Sequence, residues 1–365
     1  MTGAWLRRKS RRFKREGKAD ALDPGEAILR HWRVGWPEDS FDGTIGDSSQ
    51  GGGGRPTGSR PGRQWEMKRL IVNADDFGLT AGINRAIMAG HHGGLISSTS
   101  LLANGEAFAS AVALSRQAPR LGVGVHLNLT EGHPVAPASS IPSLVNAQGC
   151  FARKPASLWR AMILGRASAV EIEKELRAQI EKVLTTGIVA THLDSHKHVH
   201  ALPALGRMTI RLARQYGIPA VRCVAERWSA LGCSLGRFPH AKTTILRQFL
   251  NSCTLAVVSR GWSRQLRRAG VACAEHFYGL TPTGFLDEDL LRDILCHLPE
   301  GTSELMCHPG FVDKALRQTP TRLLEQREME YQALSGPRIQ LLVKDLSIRL
   351  INFGDLVGSK RAGAV

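Results

Sequence analysis

Leu70-Ile71-Val72-Asn73-Ala74-Asp75-Asp76-Phe77-Gly78 is an apolar run that closes on two adjacent carboxylates and a glycine. Leu70–Ala74 shows no polar alternation, which suits a strand buried on both faces, as in a parallel sheet. Ala81–His92 follows with apolar residues at helical spacing. The pair reads as one strand feeding one helix.

The same unit recurs downstream. Ile96–Ala103, Leu121–Leu129, Ile188–Leu193, Ala220–Val224, Ala274–Tyr278, Leu305–Cys307 and Ile348–Phe353 read as strands. Ala107–Gln117, Val170–Thr185, Pro203–Tyr216, Thr243–Val258, Asp287–His297 and Pro320–Ser335 read as helices, the last stopped by Gly336 and Pro337. Alternating strands and helices predict an α/β fold around a mostly parallel sheet, with catalytic groups at the C-terminal ends of strands.

Polar clusters stand at four such ends. Beside Asp75 and Asp76 there are His126 in Gly124–Asn128, the stretch Thr191–His200, and His308 in Cys307–Gly310. Adjacent carboxylates are costly to bury together unless a cation or a shared proton compensates. A turn at Gly78 is expected to bring both to one site, where one binds a metal and the other acts as base. The competing reading is a helix cap, which Asp favours. His126 alone would read as a core residue, but four of the 13 histidines fall within 192–200. Two imidazoles and a carboxylate form a catalytic set for zinc and similar divalent ions. Asp194 can orient one ligand histidine. Asn73, His198, His200 and Arg222 are candidate substrate contacts.

The runs LIVNADDFGLTAGINRAI, GVGVHLNLTEGHPV, THLDSHKHVH and CHPGF resemble, in order, the motifs of the YdjC/ChbG-like carbohydrate deacetylases, and among these the hopanoid biosynthesis-associated branch. The resemblance spans roughly residues 67–355. It implies a distorted (β/α) barrel similar to polysaccharide deacetylases, in a single catalytic domain. It implies Asp76, His126 and His196 as metal ligands, Asp75 as catalytic base and His308 as a second acid/base group. It implies magnesium as the one divalent metal, although two histidines suit zinc, cobalt or manganese better than that oxygen-seeking ion. The implied substrate is an N-acetylated amino sugar, with an N-acetylglucosaminyl hopanoid lipid as the finer expectation. Related enzymes suggest a homodimer.

The rest of the composition sets bounds. The first 66 residues hold a basic run at Arg7–Lys18 and a Gly/Ser/Pro/Arg-rich stretch at 43–64, and are expected to be a disordered extension, with Met67 as the natural start. The catalytic domain is expected over 67–358, with a short tail at 359–365. The extension carries 13 Lys/Arg against 9 Asp/Glu, so most of the formal charge of +16 lies in the remainder. Such charge permits nucleic acid, but aromatics are only 6% and no nucleic-acid motif occurs, so none is expected as partner. Within Thr243–Arg268, apolar residues mix with Arg247, Arg260, Arg264, Arg267 and Arg268, a pattern that suits either a packed helix or peripheral contact with an anionic membrane. No run is long enough to span a bilayer. Seven scattered cysteines without a CxxC pair point to a reducing compartment, so the expected location is cytoplasmic, with peripheral contact at the inner membrane surface as the finer expectation. A phosphoesterase or an iron oxygenase would use a similar ligand set, but no Walker-type phosphate loop is present, and an oxygenase leaves Asp75 without a task.

Overall fold

The computed structural model describes residues 67–226, 238, 242–258 and 261–357. The expected extension over 1–66 and tail over 359–365 lie outside the described residues.

In chain order the elements are β1 (Lys68–Phe77), α1 (Ala81–Gly93), β2 (Ser98–Leu101), α2 (Phe108–Ser115), β3 (Gly122–Leu127), α3 (Pro155–Ile163), α4 (Ala169–Leu184), β4 (His192–Ser195) and α5 (Pro203–Gln215). There follow β5 (Ala220–Val221), α6 (Lys242–Val258), α7 (Trp262–Arg268), β6 (His276–Tyr278), α8 (Glu288–Cys296), β7 (Gly301–Cys307), α9 (Lys314–Gln318), α10 (Glu325–Ser335), α11 (Pro337–Asp345) and β8 (Arg349–Leu350).

Every strand pair is parallel, in the order β5-β4-β3-β2-β1-β7-β6, with β8 added on β1. Parallel bridges Ala220↔Ala272 and Glu226↔Phe277 link the segment from β5 onward to β6 and the segment just before it. The two ends of the strand order therefore meet, and the sheet curls into an irregular (β/α) barrel, as expected. Apolar clusters fill it at different levels: Ile71, Ala220 and Phe353 in one, Val224, Phe277 and Met306 in another.

Several boundaries differ from the sequence reading. The helix read from Pro320 begins at Glu325 instead. Pro337, read as a stop, is the first residue of α11, where a missing N–H costs nothing. The helix α3, again opened by a proline, was not anticipated. The strand read over Ile188–Leu193 is shifted to His192–Ser195.

Packing within the barrel is tight at Gly124. A Cβ there would lie 2.3–2.5 Å from the His192 ring, which stacks on Phe353 at 3.9 Å. Gly124→Ala is expected to lower stability by about 1–3 kcal/mol, read by denaturant unfolding, because the stacked ring has no room to retreat.

Candidate active site

The two aspartates converge by a different route from the expected turn. β1 continues through both of them to Phe77, but its register on β2 jumps between Ala74↔Thr99 and Phe77↔Leu101. Two residues of β1 thus face Ser100 alone, as in a β-bulge. Asp76 takes φ 69°, the left-handed region that non-glycine residues rarely adopt. Both carboxylates end up buried. Neither caps α1: Thr80 does, and Asn84 Oδ1 accepts from Gly78 N at 2.7 Å.

His126 on β3 sits in register with Asp194 on β4, and its Nδ1 lies 2.8 Å from Asp194 Oδ1. That contact leaves Nε2 turned toward Asp76 Oδ1 at 3.7 Å and Asp75 Oδ2 at 3.9 Å. His196 follows β4 directly. Its Nδ1 is 3.1 Å from Asp76 Oδ1 and its Nε2 is 3.0 Å from Glu131 Oε2. The backbone just beyond, at Lys197 and His198, is again left-handed, with φ 54° and 55°. Strained residues on two neighbouring segments are a common mark of functional sites.

Asp76, His126 and His196 each offer one donor atom, all within 4.8 Å of one another. Asp75, His126 and Asp194 meet the same distance test. The second trio is a poorer cation site, because Arg222 already pairs with both carboxylates. Its guanidinium lies 2.8 and 2.7 Å from the two Asp75 oxygens, 2.7 Å from Asp194 Oδ2 and 2.6 Å from Glu304 Oε1. The first trio keeps Asp76 Oδ1 and His126 Nε2 facing one another, and the mix of carboxylate and imidazole donors fits a divalent ion.

A cavity of about 470 Å³ opens onto these groups. Asp75, Asp76, His126, His196, His198 and His308 all line it. Among the described residues, four side chains lining it hold a buried polar atom with no partner: His198 Nδ1, Gln248 Oε1, His308 Nδ1 and Arg327 Nη1. Buried polar atoms are nearly always paired, so their concentration here points to a bound polar ligand.

The other expected contacts lie elsewhere. Arg222 is fully buried beneath the cavity, not in its wall. Asn73 is also fully buried and donates to Asp75 Oδ1 at 2.9 Å and Ser100 Oγ at 2.8 Å. His200 is held by Ser195 Oγ at 2.5 Å and packs near Trp262. All three support the site from behind and do not reach the cavity; polarity in the sequence did not distinguish wall from support.

Glu131, Arg327, Glu330 and Glu304 escaped the sequence reading. Arg327 Nη2 donates to Asp76 Oδ2 at 2.6 Å, and His308 N donates to Glu330 Oε2 at 2.6 Å. For Arg327 and Glu330 the early signal was charge at positions three apart on α10; Glu131 and Glu304 gave none.

The charges set the protonation states. Burial favours a neutral Asp75, but Arg222 and His126 overcome it and hold the carboxyl below its usual range. Burial is likewise outweighed at Asp76, by Arg327 and His196. His196 rises to about 9 despite burial, because Asp76 and Glu131 hydrogen-bond its charged form. Burial pulls His308 down to about 4, against the pull of Asp75 and Asp76. It also lowers His200 to about 4 and His192 to about 3, with Asp194 opposing.

Those two depressed histidines make an acid-labile core. A folded-state pKa below the unfolded value means that the neutral form stabilises the fold fully above the ordinary 6.5. That contribution fades as pH falls from 6.5 through about 4 for His200 and about 3 for His192. The unfolding free energy is expected to drop steeply between pH 6.5 and 4, and His192→Gln should flatten the slope in denaturant titrations.

Residues 69–345 match the YdjC-like protein family. A carbohydrate deacetylase of Brevibacillus brevis is 33% identical over 290 residues, which cover 79% of this chain and 99% of the relative. A chitooligosaccharide deacetylase of Serratia marcescens is 31% identical, over 79% of this chain and 99% of its own. A crystal structure from Enterococcus faecalis V583, named only as a candidate cellobiose-phosphate cleavage protein, superposes with a TM-score of 0.64 at 25% identity, covering 80% of this chain and 99% of that one. The parallel barrel, the four motifs at its strand ends and the extent of these matches agree: the chain belongs to the YdjC-like family.

Proposed function

We propose that this chain, as a carbohydrate deacetylase, hydrolyses the N-acetyl amide of an amino sugar in the cavity above Asp75 and Asp76. The observation that carries the reading is the convergence of Asp75, the Asp76–His126–His196 trio and His308 on one cavity. Asp76, His126 and His196 would hold a divalent ion, which when bound supplies Lewis-acid activation of water and of the acyl oxygen. Magnesium is the family expectation; the donor set favours zinc, cobalt or manganese.

The chain's own groups do the rest. Arg222 keeps Asp75 ionised and fixes its plane, so the carboxylate is ready to take a proton from the attacking water. Asp194 fixes the His126 ring with Nε2 toward Asp76. His308, neutral at pH 7, would take up the proton that Asp75 removed from the water and pass it to the amine nitrogen as the C–N bond breaks. His198 borders the sugar.

The finer substrate proposal is an N-acetylglucosaminyl unit, on a soluble chitooligosaccharide or on a hopanoid lipid. On α6, Leu246, Leu250 and Val257 are 48%, 57% and 58% exposed, while Ile245 and, on α7, Trp262 are buried. The exposed stripe supports peripheral contact with a bilayer that presents such a lipid. No helix among the described residues is long and apolar enough to cross a membrane.

Acetate release from N,N′-diacetylchitobiose and from an N-acetylglucosaminyl lipid in vesicles tests the reading, with p-nitrophenyl phosphate as control. Acetate from either sugar supports it and ranks the two substrates. Phosphate release with no acetate would favour a phosphoesterase instead.

A further inference from the structure

Arg327 is 2% exposed, yet it lines the cavity. Two edges of its guanidinium are committed. Nη2 donates to Asp76 Oδ2 at 2.6 Å, and Nε donates to Leu323 O at 3.2 Å. Nη1 is buried and has no partner among the described residues. A buried guanidinium donor without an acceptor is costly, and the cost persists here beside two fixed anchors.

The surroundings hold this side chain in place. Gly310, of the Cys-His-Pro-Gly run, donates its N–H to Arg327 O at 3.1 Å. A Cβ at Gly310 would come within 3.1 Å of Arg327 Cδ and 3.2 Å of Arg327 Cβ. One turn along α10, Glu330 accepts from His308 N. The helix therefore ties the His308–Gly310 segment and Asp76 together through Arg327, whose unpaired Nη1 shares the guanidinium that bonds Asp76.

We propose that Arg327 is a catalytic residue of this site, whose Nη1 donates to the acyl oxygen as negative charge develops there. The proposal rests on the deacetylase reading. A donor fixed in advance on two sides reorganises little during reaction, which is where electrostatic stabilisation is most effective. Arg327→Lys keeps a positive charge for Asp76 but lacks the rigid fork that serves two acceptors at once.

The test measures kcat, KM and bound metal in the wild type, Arg327→Lys and Arg327→Ala on N,N′-diacetylchitobiose, with and without added guanidinium ion. The expected result is bound metal near wild type in Arg327→Lys, KM within a few-fold and kcat lower by about 10²–10³-fold, the usual effect of losing one such donor. Added guanidinium should restore part of the Arg327→Ala rate. Metal and rate lost together would confine Arg327 to holding Asp76 and overturn the proposal. An unchanged kcat in Arg327→Lys would also overturn it, with the deacetylase reading intact. A wild type that releases no acetate would overturn both.

Discussion

Asp75→Asn is expected to fold, to bind metal as the wild type does, and to release acetate at least roughly 100-fold more slowly. The substitution is nearly isosteric. It keeps one oxygen for Arg222 and removes only the charge that can accept a proton. Arg222 retains Asp194 and Glu304 as partners, so the buried guanidinium is not stranded. Asp76, His126 and His196 are untouched, so metal content should stay level. Steady-state acetate release and metal analysis on the same sample check both halves. Near-normal turnover with metal in place would remove Asp75 from the base role.

Arg222→Met should have the largest effect on stability. The guanidinium is fully buried and joins three acidic side chains from β1, β4 and β7. Methionine fills much of the volume but leaves those carboxylates without a counter-charge. Removing one member of a buried ion cluster costs about 3–5 kcal/mol, because the remaining charges stay buried. Glu304, which burial has already raised to about 7 despite Arg222, should then be the first to take up a proton. Denaturant unfolding at pH 7 gives the cost; a loss under roughly 1 kcal/mol would show that the cluster relaxes or hydrates.

Much of the candidate site was legible in the sequence because each strand carries its candidate residues at its own end. Asp75, Asp76, His126, His196 and His308 all reach the cavity, although the two aspartates do so through the bulge in β1 and not through the expected turn. The supporting groups were not legible, because their partners are remote. Asp75 meets Arg222 across 147 positions and Asp76 meets Arg327 across 251. Nothing near Arg222 in sequence separates a buried keystone from a solvated arginine. The histidine cluster was visible as a density but not as roles: His192 packs on Phe353, His196 faces Asp76, His198 borders the cavity and His200 lies behind it. Those roles depend on the left-handed backbone at Lys197 and His198, which no residue type there announces.

In the proposed mechanism Asp76, His126 and His196 form a metal site that serves deacetylation. Its most direct test strips the protein with chelator, reloads it separately with zinc, cobalt, manganese or magnesium, and follows acetate release from N,N′-diacetylchitobiose. The expected result is activity that vanishes on stripping, returns with at least one ion, and never returns in His196→Ala, which should also bind less metal. Undiminished acetate release from fully stripped protein, or full recovery in His196→Ala, would contradict a metal site at these three residues.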